Sequence, residues 1–273
     1  MSSYTSMSPD ELGRDVGTQR APVIVDVRSD AEFANQPFLI PASIRRDADA
    51  ADTWAAGLAG KRVVTVCNDG GAIGQSVAAW LRHKSVDAKS LDGGFEAWGA
   101  SGHLLTRVAK MPSPNSRGPT VWVTRERPKI DRIACPWLIR RFVDPEAVFL
   151  FVEPTEVVHV ASRFDATPFD IEGVFWSHRG ETCTFDTMLT EFGLKSEALD
   201  KLATIVRGAD TARLDLVPEA AGFLACSLGL SRLFDSDLAQ LQAGMTLYDA
   251  MYLWCRDATA ETHNWPTPRV REV

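Results

Sequence analysis

The sequence predicts an α/β protein: a parallel sheet covered by helices, followed by a second α/β domain that is mostly helical toward its C-terminus. Three observations carry this expectation. Short apolar runs rich in β-branched residues alternate with helical segments up to about residue 100, the pattern of parallel strands joined by crossover helices. The stretch "TRVAKMPSPNSRGPT" at residues 106–120 then breaks the alternation with three prolines and little apolar content, as a domain boundary does. From Thr184 onward the chain reads as helix after helix.

The elements follow in order. "SMSPDELGRDV" offers Ser8 as an N-cap, Pro9 at the first helical position and acids in the first turn, so a short helix starts there. "PVIVDV" is a strand, "DTWAAGLAG" a helix closed by Gly60, and "KRVVTVC" the next strand. "AIGQSVAAWLRHK" is a helix with Ile73, Val77, Trp80 and Leu81 on one face, and "AKSLDGGFEAW" a strand, a Gly-Gly turn and a short helix. These make a first domain over residues 1–105, with a linker over 106–119. In the second domain, 120–258, "VWVT" is a strand. "DRIACPWLIRRFVDP" is a helix with Asp131 as its N-cap, although Pro136 makes the start uncertain. "AVFLFV" is a buried strand, "EPTEVVHVASRF" a helix opened by Pro154, and "DIEGVFW" strand-like. Among the later helices "PEAAGFLACSLGLSRLF" is apolar nearly all round, which predicts a buried central helix. Residues 259–273 read as a loose tail.

The composition narrows the function classes. The chain has 273 residues, 45% of them hydrophobic and 24% charged, enough for a full core and against global disorder. A formal net charge of −7 argues against wholesale nucleic-acid wrapping, although a local basic patch is compatible with it. The five cysteines, Cys67, Cys135, Cys183, Cys226 and Cys255, are scattered and lack CxxC spacing, so a reducing compartment fits better than a disulfide scaffold. Cys226 and Cys255 lie in apolar helices and are expected in the core. The sequence shows neither an apolar signal core nor an apolar run near the roughly 20 residues that cross a bilayer. The expected location is the cytoplasm, with no membrane partner.

Cys67 leaves a predicted parallel strand at the sheet's carboxyl edge, where open α/β folds place their sites. Glycines follow it, so backbone N–H groups can turn inward, and a helix beginning near Ala72 adds its positive end. That loop makes a cradle for an anionic sulfur or a bound oxyanion.

"VIVDVRSDAEF", "VCNDGGAIGQSVAAWL" and "SLDGGFEAW", in this order and spacing, resemble a rhodanese domain over about residues 4–105. The resemblance implies a five-stranded parallel sheet and a rhodanese-type sulfurtransferase that carries sulfane sulfur as a persulfide on Cys67. It implies Asn68, Asp69, Gly70, Gly71, Ala72 and Ile73 as the encircling active-site loop, with Asp26 and Arg28 as loop supports. The partners implied are a small-molecule sulfur donor and a thiol or cyanide-like acceptor. The loop departs from thiosulfate-using relatives: Ala72 and Ile73 stand where positive or hydroxyl groups are usual, and Asp69 adds a negative charge that should repel a dianion. Thiosulfate is therefore a doubtful donor.

The second half, in "VWVTRERPKIDRIACPWLIRRFVDPEAVFLFV", "PFDIEGVFWSHRGETCTFDTML", "IVRGADT" and "PEAAGFLACSLGLSRL", resembles the C-terminal domain of chromate-resistance proteins of the ChrB type. Two polar clusters stand out there. Arg132, Arg140 and Arg141, within a run that also holds Arg125, Arg127 and Lys129, are candidates for binding an oxyanion through paired guanidinium hydrogen bonds. A solvated charged face is the plain alternative. His178, Glu181 and Cys183 in "SHRGETC" are metal-ligand types, and Asp210 or Asp131 could complete a set. The plain alternative is a hydrogen-bonded turn with a buried thiol. The cofactor expectation is therefore a divalent metal in the C-terminal domain.

The combined expectation is a sulfur carrier coupled to an oxyanion- or metal-recognising domain associated with chromate resistance. One rival is a non-catalytic sensor or binding protein with a degenerate rhodanese module. Another is a thiol-based chromate reductase, which would need an outside reductant because no GxGxxG fingerprint is present.

Overall fold

The computed structural model describes residues 4–112 and 118–261. In chain order the first part contains β1 (Ser6–Met7), α1 (Pro9–Asp15), β2 (Val23–Asp26), α2 (Asp30–Asn35), β3 (Phe38–Leu39), β4 (Ser43–Arg45), α3 (Ala51–Trp54), β5 (Arg62–Val66), α4 (Ala72–His83), β6 (Asp87–Leu91), α5 (Gly94–Ala100) and β7 (Thr106–Arg107). The sheet is parallel in the order β1-β6-β5-β2-β4. β5 is thus central, and its Arg62–Val66 run is buried from Val63 onward. One face packs Val25, Val63, Val77 and Leu81 under α3 and α4, and the other packs Leu12, Ile24, Val64 and Trp98 under α1 and α5. Such two-sided burial is why the strands read as continuous apolar runs. Ser8 forms the expected cap, a reciprocal capping box with Glu11. On α4 only part of the expected face is inside: Val77 and Leu81 are buried, whereas Ile73 and Trp80 are exposed.

Residues 106 and 107, expected to open the linker, form β7 and pair antiparallel with β3. Of the linker, residues 113–117 lie outside the described residues, as do 262–273 of the expected tail.

The second part contains β8 (Val121–Arg125), α6 (Asp131–Leu138), β9 (Val148–Val152), α7 (Val157–Phe164), β10 (Thr167–Pro168), α8 (Thr184–Phe192), α9 (Glu197–Asp210), α10 (Glu219–Leu233) and α11 (Asp237–Leu253). A parallel three-stranded sheet in the order β10-β8-β9 carries α7 on one face, where Val123 meets Val157. Its other face, through Trp122, joins the large helical core with Trp137, Phe185 and Leu202. Pro136 lies inside α6, and the next turn, Ile139–Val143, widens into a π-helix. The missing proline N–H removes a helical bond, and a π segment is one way to absorb the defect.

Three readings are corrected. Asp131 is not the N-cap of α6: Ile130 holds that position with φ 36°, and Asp131 is wholly buried. "DIEGVFW" is not a strand but a loop closed by a Phe169–Trp176 bridge and by the Asp170 N–H donating to the Trp176 carbonyl at 2.8 Å. α10 is not a buried central helix. It buries a stripe of Ala220, Phe223, Ser227 and Ser231, while Leu228, Leu233 and Cys226 are exposed. Its alanines, glycines and serines made it apolar all round without giving it volume, so its pattern had no direction. Cys255 is buried as expected.

The two parts are packed together. The Phe142 carbonyl accepts the Ala42 N–H at 3.0 Å and the Thr106 hydroxyl at 2.8 Å. Gly17, at φ +76°, lies so close to Phe142 that a Cβ would sit 2.5 Å from its Cζ, so this junction requires glycine. Among the described residues no helix is long and apolar enough to cross a membrane.

Candidate functional site

Two clusters of chemically capable side chains lie in the two parts. In the first, β5 delivers Cys67 to the carboxyl edge of the sheet, and its sulfur rests against the first turn of α4. A Cβ on Gly74 would stand 2.9 Å from Sγ. The loop is closed from the side by the start of α5. The Phe95 and Glu96 N–H groups donate to the carbonyls of Cys67 and Asn68, both at 2.9 Å, and Asn68 Nδ2 donates to Glu96 at 2.6 Å. Gly70, at φ +72°, packs so closely on Gly93 that a Cβ would lie 2.4 Å from its nitrogen, a second place where only glycine fits.

Asp69 turns back into the loop. Its Oδ1 accepts the Gly71 N–H at 2.8 Å and lies 3.7 Å from the Cys67 sulfur, which donates to it. A carboxylate of the chain itself thus takes a loop N–H that a bound oxyanion would use. Cys67 is only 4% exposed. Ala72 opens α4, and Ile73 projects toward a cavity of about 560 Å³ lined also by Val27, Ser29, Arg46 and Asp47. Asp26 and Arg28, the expected loop supports, lie at the end of β2. They form a buried pair at 2.6 Å. Arg28 also donates to the Phe38 carbonyl at 2.7 Å and stacks 3.6 Å from the Phe95 ring centre. Neither reaches the sulfur.

The second cluster draws on four separate segments. Asp131 opens α6, Asp170 follows β10, His178 follows the closed loop and Asp210 ends α9. His178 Nε2 lies 3.4 Å from Asp131, 3.4 Å from Asp170 and 3.2 Å from Asp210. The ligand atoms of Asp131, Asp170 and His178 all lie within 4.8 Å of one another. The Thr184 and Phe185 N–H groups, at the start of α8, donate to Asp131. The Thr184 hydroxyl donates to Asp170 at 2.9 Å, and Arg125 and Arg132 stand 3.2 and 3.4 Å from Asp170. The backbone of Ile130, strained at positive φ, is held by Tyr248, whose hydroxyl donates to the Ile130 carbonyl at 2.8 Å. That clamp turns Asp131 inward.

The electrostatics follow from burial and crowding. Burial pushes the Asp131 carboxyl up, and the nearby Asp170 adds to this against the hydrogen bond from His178. Burial also opposes charge on Asp170, but hydrogen bonds from His178 and Thr184 with the Arg125 and Arg132 charges hold it below the usual range. Asp210 is pushed up to about 7 by burial and by Asp131 and Asp170. His178 is raised to about 10, chiefly by hydrogen bonds to Asp131 and Asp170.

The expected metal set is only partly brought together. His178 and Asp210 meet. Glu181 does not join them: it sits at the tip of the Arg179–Thr182 turn, 2.9 Å from Arg213 and exposed. Cys183 is the buried N-cap of α8, and burial with the Asp131 charge drives its thiol well above the ordinary range, so it stays a protonated thiol. Cys135 is buried and shifted the same way. Asp170 was missed because its signal, one acid in a run read as a strand, carries no periodicity.

The three candidate oxyanion arginines are not brought together either. Arg132 donates to the Glu126 carbonyl at 2.7 Å and pairs with Asp170. Arg140 donates to the Ala147 carbonyl and stacks over Phe149. Arg141 pairs with Asp249 at 2.8 Å. The π turn after Pro136 removes the shared helical face that an eight-residue spacing would give.

The family model for the rhodanese-like domain matches residues 8–101, and the one described as "ChrB, C-terminal domain" matches residues 122–255. The chain joins a rhodanese-like domain to a ChrB-type C-terminal domain. The curated "Protein ChrB" of Cupriavidus metallidurans is 35% identical over 132 residues, which is 48% of this chain and 39% of that protein. The match thus spans well under half of that relative. Among solved structures, a rhodanese-like domain protein from Staphylococcus aureus is 28% identical, covering 37% of this chain and 96% of its own, with a TM-score of 0.33. A rhodanese-related protein from Thermoplasma volcanium is 19% identical, covering 37% and 97%, with a TM-score of 0.33.

Proposed function

We propose that this protein carries sulfane sulfur as a persulfide on Cys67 and passes it to a small acceptor. The observation that carries the reading is the position of the Cys67 sulfur, at the carboxyl end of the central strand and against the first turn of α4. The positive end of that helix suits an anionic persulfide. The step balances without an outside oxidant. Cys67 attacks the outer sulfur of a hydropersulfide, the S–S bond of the donor breaks, and the donor leaves as a thiol. Asp69 Oδ1, which the Cys67 thiol already faces, takes the thiol proton and returns it to the leaving sulfur. A thiol or cyanide then removes the carried sulfur.

The donor is a monoanionic or neutral persulfide rather than thiosulfate, because Asp69 sits where a dianion would bind. The cavity beside Ile73 supplies the approach. The ChrB-type half ties this chemistry to oxyanion stress of the chromate-resistance kind. Free cysteines at all five positions fit work in the reducing cytoplasm.

A second reading has its own observation. Cys67 is almost fully buried and its loop is filled by Asp69, as in a module that docks a partner and does no chemistry. Cyanide trapping with a range of sulfane donors separates the two. Thiocyanate formed from a persulfide donor and not from thiosulfate supports the carrier. No thiocyanate from any donor supports the docking module.

A further inference from the structure

The His178 cluster presents an imbalance of donors and acceptors. One imidazole nitrogen offers one proton, yet three carboxylates from three segments converge on it at 3.2 to 3.4 Å. A single N–H satisfies one acceptor well. A multivalent cation satisfies all of them. Two of the carboxylates are held in orientation by outer partners: Asp131 by the α8 N–H groups, and Asp170 by Thr184, Arg125 and Arg132. The oxygens nearest His178, Asp131 Oδ2 and Asp170 Oδ1, also accept from the Thr184 N–H and hydroxyl, so α8 fixes their direction as outer partners fix metal ligands. A further buried group has no partner. The Thr124 hydroxyl on β8 is wholly buried and unpaired. Strand alternation turns Thr124 to the same face as Trp122, the face under α6 and away from α7. Asp170 lies beside this strand end, because the Phe169 N–H just before it donates to the Val123 carbonyl.

We propose that Asp131, Asp170 and His178, with Asp210 beside the imidazole, form a binding site for one hard divalent cation of the Mn²⁺ class. The donor set decides the class. Carboxylate oxygens suit Mg²⁺, Ca²⁺ and Mn²⁺, and one imidazole moves the preference from Mg²⁺ toward Mn²⁺. Both nearby thiols, Cys135 and Cys183, are buried, and the site has no paired thiolates such as a structural zinc would take. His178 is half-exposed, which leaves an entry path and open coordination positions on that side. This site is independent of the sulfur chemistry assigned to Cys67.

The test uses the full chain, stripped with chelator and titrated with MnCl₂. Electron paramagnetic resonance of free Mn²⁺ counts bound ions, and thermal melts follow stability. The site predicts one saturable Mn²⁺ per chain and a melting temperature that rises with Mn²⁺ and falls again with chelator. His178→Ala, at a half-exposed position, should weaken Mn²⁺ by at least about tenfold, and Asp170→Asn should do the same. The wild-type titration stands even if a variant fails to fold. Absence of bound Mn²⁺ in the wild-type chain at millimolar concentration overturns the proposal. So does one Mn²⁺ per chain that survives both substitutions at unchanged affinity.

Discussion

The Cys67 loop and the His178 cluster are built in opposite ways. The loop is local: Cys67 to Gly74 form most of it, and a second short stretch, Gly93 to Glu96, closes it. Its acid, Asp69, touches a backbone N–H and a thiol at an accessible rim. The cluster is long-range, drawing Asp131, Asp170, His178 and Asp210 from four segments. Its key acid, Asp131, is wholly buried and tied to two N–H groups. The difference teaches that carboxylates in one chain serve opposite ends. Asp69 pins a turn of its own loop and faces the Cys67 thiol, whereas Asp131 ties the start of α6 to the start of α8.

The largest expected effect breaks the second region alone. Asp131→Ala leaves the Thr184 and Phe185 N–H groups and the facing His178 without their buried acceptor, at a cost of about 3–5 kcal/mol. Asp69→Ala should change stability by less than about 0.5 kcal/mol. Paired urea unfolding curves measure both, and equal costs would erase the contrast.

A pH series sharpens it. The folded His178 holds its proton to about pH 10, above the 6.5 of an unperturbed imidazole, through hydrogen bonds to Asp131 and Asp170 and the nearby Asp210 charge, and against its partial burial; Arg125 and Arg132 face the same cluster through Asp170. Its contribution is fully present below pH 6.5 and is lost as pH rises toward 10, because the folded state binds the extra proton across that window. The metal-free chain should therefore melt at falling temperature over this range, and His178→Gln should flatten that slope. A slope unchanged in His178→Gln would assign the titration elsewhere.

The smallest effect falls on the loop. A unit charge at about 4 Å is worth about 1 kcal/mol in water, so Asp69→Asn should raise thiosulfate turnover relative to persulfide turnover by on the order of tenfold. An equal change for both donors would show that the carboxylate does not meet the donor.

The same contrast explains what the sequence made legible. The parallel sheet and the Cys67 loop could be read because strands and loop glycines are adjacent in sequence, and local pattern encodes them. The four-segment cluster could be read only in part. His178 and Asp210 stood out by residue type, but the neighbourhood of "SHRGETC" pointed to Glu181 and Cys183, which the Arg179–Thr182 turn and the α8 cap send elsewhere. Asp170 became visible only once the 169–176 loop closed beside β8. Arg132, Arg140 and Arg141 looked like one basic face until the π turn after Pro136 dispersed them. α10 misled because small residues all round a helix mark no inside.

Whether Cys67 carries sulfur is read by intact-mass measurement of the full chain after exposure to a hydropersulfide. The expected result is a gain of one sulfur atom that is reversed by cyanide and absent in Cys67→Ser. No gain in the wild-type chain, or the same gain in Cys67→Ser, would contradict it.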